Sequence, residues 1–124
     1  KIEGEDYIVY TNSGQMRTSL TAMEAAQNAQ TAGAGEILIN SIDQDGRQQG
    51  YDINLIRNVT EAVKIPVIAA GGAGNYDHFA EAVNSGCASA VAAGSLFVFI
   101  GRKRAVLINY PDEEELEEIF NPEQ

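Results

Sequence analysis

The sequence is short of cysteine, histidine and positive charge, and each shortage closes off a class of chemistry. A single cysteine, Cys87, excludes an intrachain disulfide and any cysteine-cluster metal site. A reducing cytoplasm suits such a chain. Cys87 lies in the apolar stretch Cys87-Ala-Ser-Ala-Val-Ala-Ala93 and reads as a small buried hydrophobe. Eight basic residues face eighteen acidic ones, for a net charge of −10. That balance disfavours nucleic acid and anionic membranes as partners. It leaves a phosphorylated small molecule open, because backbone N–H groups and helix N-termini bind phosphate without net positive charge. The apolar run Leu96-Phe-Val-Phe-Ile100 is far too short for a membrane span, and no signal peptide is visible. The one histidine, His78, falls on an expected helix away from any strand end and reads as a surface residue. No spacing suggests a metal site, and neither a Ser-centred nucleophile elbow nor a Walker loop occurs, so no metal and no cofactor are expected.

What is present is an α/β rhythm. Tyr7-Ile-Val-Tyr-Thr11 is β-branched and aromatic and predicts a strand, with residues 1–6 as the other arm of a hairpin and Asn12-Ser-Gly14 as its end. Ser19 or Thr21 can cap a helix running to about Ala32, with Leu20, Met23, Ala26, Ala29 and Ala32 on one face. Apolar strands over residues 36–40, 65–70 and 88–93 then alternate with helices over 52–63 and 77–84. Alternation of this kind predicts parallel strands joined by helical crossovers. Continuous apolar strands predict a sheet covered on both faces. The chain divides into a hairpin (1–14), βα units (15–100) and an extension (101–124) with an acidic helix over 112–120, all within one domain. The acids at that helix's start complement its dipole. A complete eight-stranded α/β barrel needs about 250 residues, so this chain is too short for one. Its first residue is Lys1, which predicts a start inside a longer gene product, or processing.

In α/β barrels chemistry gathers at the C-terminal strand ends. The first such loop carries Asp43 and Asp45 in Ser41-Ile-Asp-Gln-Asp-Gly46, where a carboxylate can reach a reacting proton or merely shape an Asp-Gly turn. The second, Ala70-Gly-Gly-Ala-Gly-Asn75, is glycine-rich and lets backbone N–H groups approach an anion. The third, Ala93-Gly-Ser95, offers more backbone and a hydroxyl. Paired turns after the last two strands fit the phosphate sites that barrels build there.

The run Gly33-Ala-Gly-Glu-Ile-Leu-Ile-Asn-Ser-Ile-Asp-Gln-Asp-Gly46, then Gly50-Tyr-Asp52, then Ile68-Ala-Ala-Gly-Gly-Ala-Gly74, resembles the cyclase subunit of imidazole glycerol phosphate synthase, a lyase of histidine biosynthesis. The resemblance runs from Lys1 to about Ala93 and corresponds to that family's second half. It implies the C-terminal half of a (βα)8 TIM barrel that binds a substrate with a phosphate at each end. It implies a partner glutaminase subunit that supplies ammonia, with which the substrate is cyclised and cleaved. Asp45 and Gly46 match the family's substrate-contacting Asp-Gly, with Asp45 as the expected catalytic group. Asn40 stands where many members have Thr. Gly72 matches a phosphate-binding glycine, with Gly71 in the same turn. Ala93 and Ser95 approximate the phosphate loop after strand eight, with Gly94 as an extra residue.

The family's two principal aspartates would precede Lys1. The chain alone is therefore expected to be inactive, to lack one phosphate site, and to need the N-terminal half-barrel or a second copy of itself. Residues 94–111 look more like a paralogous branch serving amidotransferases of surface-polysaccharide sugars. A third reading is a non-catalytic, self-assembling, phosphate-binding half-barrel.

Overall fold

The computed structural model describes residues 1–100, 105–106 and 111–121. Residues 101–104 and 107–110, part of the stretch read as paralogue-like, lie outside the described residues, as do 122–124.

The chain opens with β1 (Ile2–Glu3), β2 (Asp6–Thr11) and β3 (Met16–Thr21), an antiparallel meander in that order. Asn12, Ser13 and Gly14 all take positive φ and reverse the chain. The third strand was not expected. Its sequence, MRTSLT, has no buried residue, so pairing with β2 rather than core burial holds it. Thr18 Oγ1 adds a bond to Val9 O at 2.7 Å, and Arg17 Nε meets Glu3 at 2.8 Å across the meander.

Thr21 caps α1 (Ala22–Thr31), its side chain accepting from Glu24 N. The buried stripe of α1 is Ala22 and Ala26. Met23 is 45% exposed and Leu20 belongs to β3, so the expected five-residue face reduces to a narrower one.

The parallel sheet follows, ordered β4 (Ile37–Asn40), β5 (Val67–Ala70), β6 (Ala90–Val91). Leu38 lies opposite Ile68, and Ile68 opposite Ala90. Between the strands run α2 (Ile53–Ala62), capped by Asp52, and α3 (Tyr76–Asn84), capped by Asn75. Leu55, Ile56 and Val59 of α2 are buried, each such side chain contributing about 1.5–3 kcal/mol. Successive strand residues point to opposite faces. Ile37, Ile39, Val67, Ala69 and Val91 face the helices. On the other face Leu38 is 59% exposed, and Asn40 and Ala90 are exposed. The strands are apolar on both faces, yet the described residues cover only one.

After β6 come α4 (Ser95–Val98) and an antiparallel pair, β7 (Phe99–Ile100) with β8 (Ala105–Val106). The acidic α5 (Glu113–Phe120) starts with a capping box between Asp112 and Glu115. It docks on α3 through Phe120, whose ring stacks on Phe79 at 6.5 Å and 7°. Phe79 also meets Tyr51, Tyr76 and Phe97.

Cys87 is exposed, contrary to expectation. The turn after α3 carries an Ala88 N to Ala82 O bond of 3.1 Å and places Cys87 at φ +62. With the backbone left-handed at this one position, the side chain turns outward and Ala88 takes the buried place. Among the described residues no helix is long and apolar enough to cross a membrane.

Candidate functional site

The three loops that follow β4, β5 and β6 meet around one cavity of about 160 Å³ at the C-terminal edge of the parallel sheet. Asn40, Asp45, Gly46, Gly71, Gly72, Ala93, Gly94 and Ser95 all line it. Every residue expected from the sequence to contact substrate or phosphate is thus brought to one rim. Gln48, Ala70, Ala73 and Ala92 complete the wall.

The first loop is wound by Ser41, which is 3% exposed. Its carbonyl accepts from Asp45 N at 2.9 Å and its hydroxyl from Gln44 N at 3.3 Å. This turn leaves Asp45 exposed at the cavity. Asp43 separates from it: its carboxylate accepts from Ile2 N at 2.6 Å and ties the loop to the N-terminal strand. Of the two aspartates, only Asp45 lines the cavity.

The second loop is possible because of its glycines. Gly71 (φ +88) and Gly72 (φ +119) have backbone conformations that L side chains rarely adopt. A Cβ on Gly71 would stand 2.8 Å from Ser41 O and 2.9 Å from Asn40 Oδ1, and one on Gly72 would strike Gly50 O. Gly72 O accepts from Gly50 N at 2.7 Å. Beyond the turn, Gly74 N donates to His78 Nδ1 at 2.9 Å. His78 is half-buried beneath the loop rather than on open surface, the position expected for it.

In the third loop Ala92 N donates to Ala69 O at 2.7 Å, and Ala92 O accepts from the Tyr51 hydroxyl at 2.8 Å. Tyr51 is buried, and burial pushes its phenol well above the ordinary value. It is therefore a neutral donor at physiological pH. Among the described residues, the N–H groups of Gly72, Ala73, Ala93 and Gly94 find no protein acceptor. Gly72 and Ala73 are buried, and buried N–H groups rarely go without a partner. Together these amides can receive an anion, with the Ser95 hydroxyl beside them. Ser41, Gln48 and Tyr51 escaped the sequence reading. Ser41 could have been found as a hydroxyl directly following a strand, whereas nothing local marks the other two.

No group of three or more His, Cys, Asp or Glu among the described residues could hold a metal ion.

Residues 1–101 match the family described as histidine biosynthesis protein. The chain belongs to that family. Relatives within it are similar over most of this chain. The imidazole glycerol phosphate synthase subunit hisF2 of Pseudomonas aeruginosa is 48% identical over 109 residues, 88% of this chain and 43% of that protein. The subunit HisF of Pyrobaculum aerophilum is 52% identical over 99 residues, 80% of this chain and 39% of that protein. That of Chlorobium phaeobacteroides is 49% identical over 96 residues, covering 77% and 38%. The chain spans about two fifths of the length of these relatives.

Proposed function

We propose that this chain is the C-terminal half of a (βα)8 barrel in an imidazole glycerol phosphate synthase cyclase subunit of histidine biosynthesis. The cavity at the strand ends takes a phosphate of the substrate. The observation that carries this reading is the convergence of three separate loops on one cavity, where Asp45 and the amides of Gly72, Ala73, Ala93 and Gly94, without an acceptor among the described residues, come together. In the reading, Gly72, Ala73, Ala93 and Gly94 hold the phosphate through backbone N–H groups, and Ser95 adds its hydroxyl. Asp45 moves a proton on the part of the substrate that takes up ammonia from a glutaminase subunit. The bare sheet face around Leu38, Ile68 and Ala90 is the inner wall, covered by the other half-barrel. An interior filled by side chains from all strands is what such barrels require.

Two experiments test the reading. In the complete barrel, Asp45→Asn lowers kcat more than it raises KM; unchanged turnover removes Asp45 from the mechanism. The full-length protein restores growth without histidine to a strain lacking its cyclase subunit. Failure of a well-folded protein to do so would favour a second reading, the amidotransferase synthase subunit for a surface-polysaccharide sugar. That reading draws on the sequence of residues 94–111, which resembles that paralogous branch.

A further inference from the structure

Two adjacent residues outside the cavity wall grip the backbone of both glycine-bearing turns. Gly50 N donates to Gly72 O at 2.7 Å, and the Tyr51 hydroxyl donates to Ala92 O at 2.8 Å. Neither Gly50 nor Tyr51 lines the cavity, and both are buried. The Tyr51 ring is fixed in the core cluster with Ile56, Ala69 and Phe79, at 6.4 Å from the Phe79 ring. Asp52, the next residue, is anchored as the cap of α2.

The two gripped carbonyls share a consequence. A peptide unit is rigid, planar and trans, so its C=O and the following N–H point in opposite directions. Holding Gly72 O fixes the Ala73 N–H, and holding Ala92 O fixes the Ala93 N–H. Ala73 and Ala93 both line the cavity, and neither N–H has a protein acceptor among the described residues. Both carbonyls are drawn toward the same dipeptide.

We propose that Gly50-Tyr51 is a brace that aims the amides of Ala73 and Ala93 at a single bound phosphate, with Tyr51 as a positioning residue that never touches the ligand. The proposal rests on the phosphate reading of the cavity and assigns the residue that sets its donor geometry. Tyr51→Phe removes one oxygen and leaves the ring packed. The Ala92–Ala93 peptide is then free to turn, while Gly50 still holds the peptide between Gly72 and Ala73.

The test is a titration of the ¹⁵N-labelled protein with inorganic phosphate, following amide shifts. In the unaltered protein the Ala73 and Ala93 amides both move on binding. In Tyr51→Phe the Ala93 response shrinks, the Ala73 response persists, and affinity falls about fivefold to tenfold, the effect of losing one well-aimed hydrogen bond. Tyr7→Phe serves as the matched control. It removes a hydroxyl that donates to Asp52 Oδ1 at 2.9 Å, away from the cavity, and leaves phosphate affinity unchanged. A general loss of packing would instead weaken both amide responses together and overturn the brace. Unchanged affinity and an unchanged Ala93 response in Tyr51→Phe would also overturn it, leaving the phosphate site standing. If Tyr51→Phe does not fold, the unaltered protein still decides, since phosphate binding without an Ala93 shift sinks the proposal. Failure of the unaltered protein to bind phosphate at all sinks the site reading and the brace with it.

Discussion

Replacing Gly72 with alanine puts the geometry of the cavity to a direct thermodynamic test. The new Cβ would be driven into Gly50 O, and would stand 2.9 Å from Gly50 C and 3.0 Å from Gln44 Cβ. Two of these three neighbours are backbone, so no side-chain rotation relieves the contact. Gly72 also sits at φ +119, where a side chain adds strain of about 1–2 kcal/mol. Forced overpacking typically costs about 1–3 kcal/mol. Pushing the loops apart breaks the Gly50 N to Gly72 O bond, worth about 1 kcal/mol. A loss of about 3–6 kcal/mol is expected, a large share of the roughly 5–15 kcal/mol that holds a domain folded. Urea denaturation reads it as a fall in midpoint of about 2 M for an m value within the usual range of roughly 1–3 kcal/mol/M. Gly94→Ala is the internal control. Its Cβ meets nothing within 4 Å and its φ is not positive, so stability stays within about 0.5 kcal/mol. A midpoint shift under about 0.5 M for Gly72→Ala would refute the close approach of the two loops.

Other expectations follow from the same structure. His78→Ala deprives Gly74 N of its acceptor and should lower stability by about 1–3 kcal/mol in chemical denaturation, because a part-buried N–H is left unmet; a neutral result would mean that water replaces the ring. Asn75→Ala removes the cap that accepts from His78 N and should cost about 1 kcal/mol, checked the same way. Tyr7 supplies a pH dependence. Burial, then its bond to Asp52, pushes its phenol up to about 12, so the folded chain keeps a proton that the unfolded chain releases near pH 10. That stability is fully present below the unfolded value and is lost as pH climbs toward about 12. Tyr7→Phe should flatten the decline between about pH 10 and 12 relative to the unaltered protein, as measured by unfolding at each pH; equal slopes would count against the assignment.

The sequence made some of this structure legible and hid the rest for identifiable reasons. The parallel strands were readable because Ile37-Leu-Ile and Val67-Ile-Ala-Ala70 are short apolar runs bounded by turn residues. Their ends were readable because glycines with positive φ at 71 and 72 leave a compositional mark. Strand β3 was hidden because Arg17 and Ser19 face solvent and ladder pairing alone selects the extended form. Cys87 was misread because its neighbours are apolar, while left-handed backbone at that one position turns it outward. Tyr51 and Ala92 are 41 residues apart, and no local pattern announces a hydroxyl reaching across that distance. The sequence also predicted a sheet covered on both faces. The strands do have that composition, but the second cover is absent from the described residues, leaving Leu38 exposed.

The outward-facing thiol of Cys87 has a practical use. It is the only sulfhydryl in the chain and projects from a hydrogen-bonded turn. The nine-residue helix α3 separates that turn from the glycine-rich loop, a length of about 13 Å. A fluorophore or spin label attached there would report on events at the far rim without occupying it, and no second cysteine would have to be engineered away.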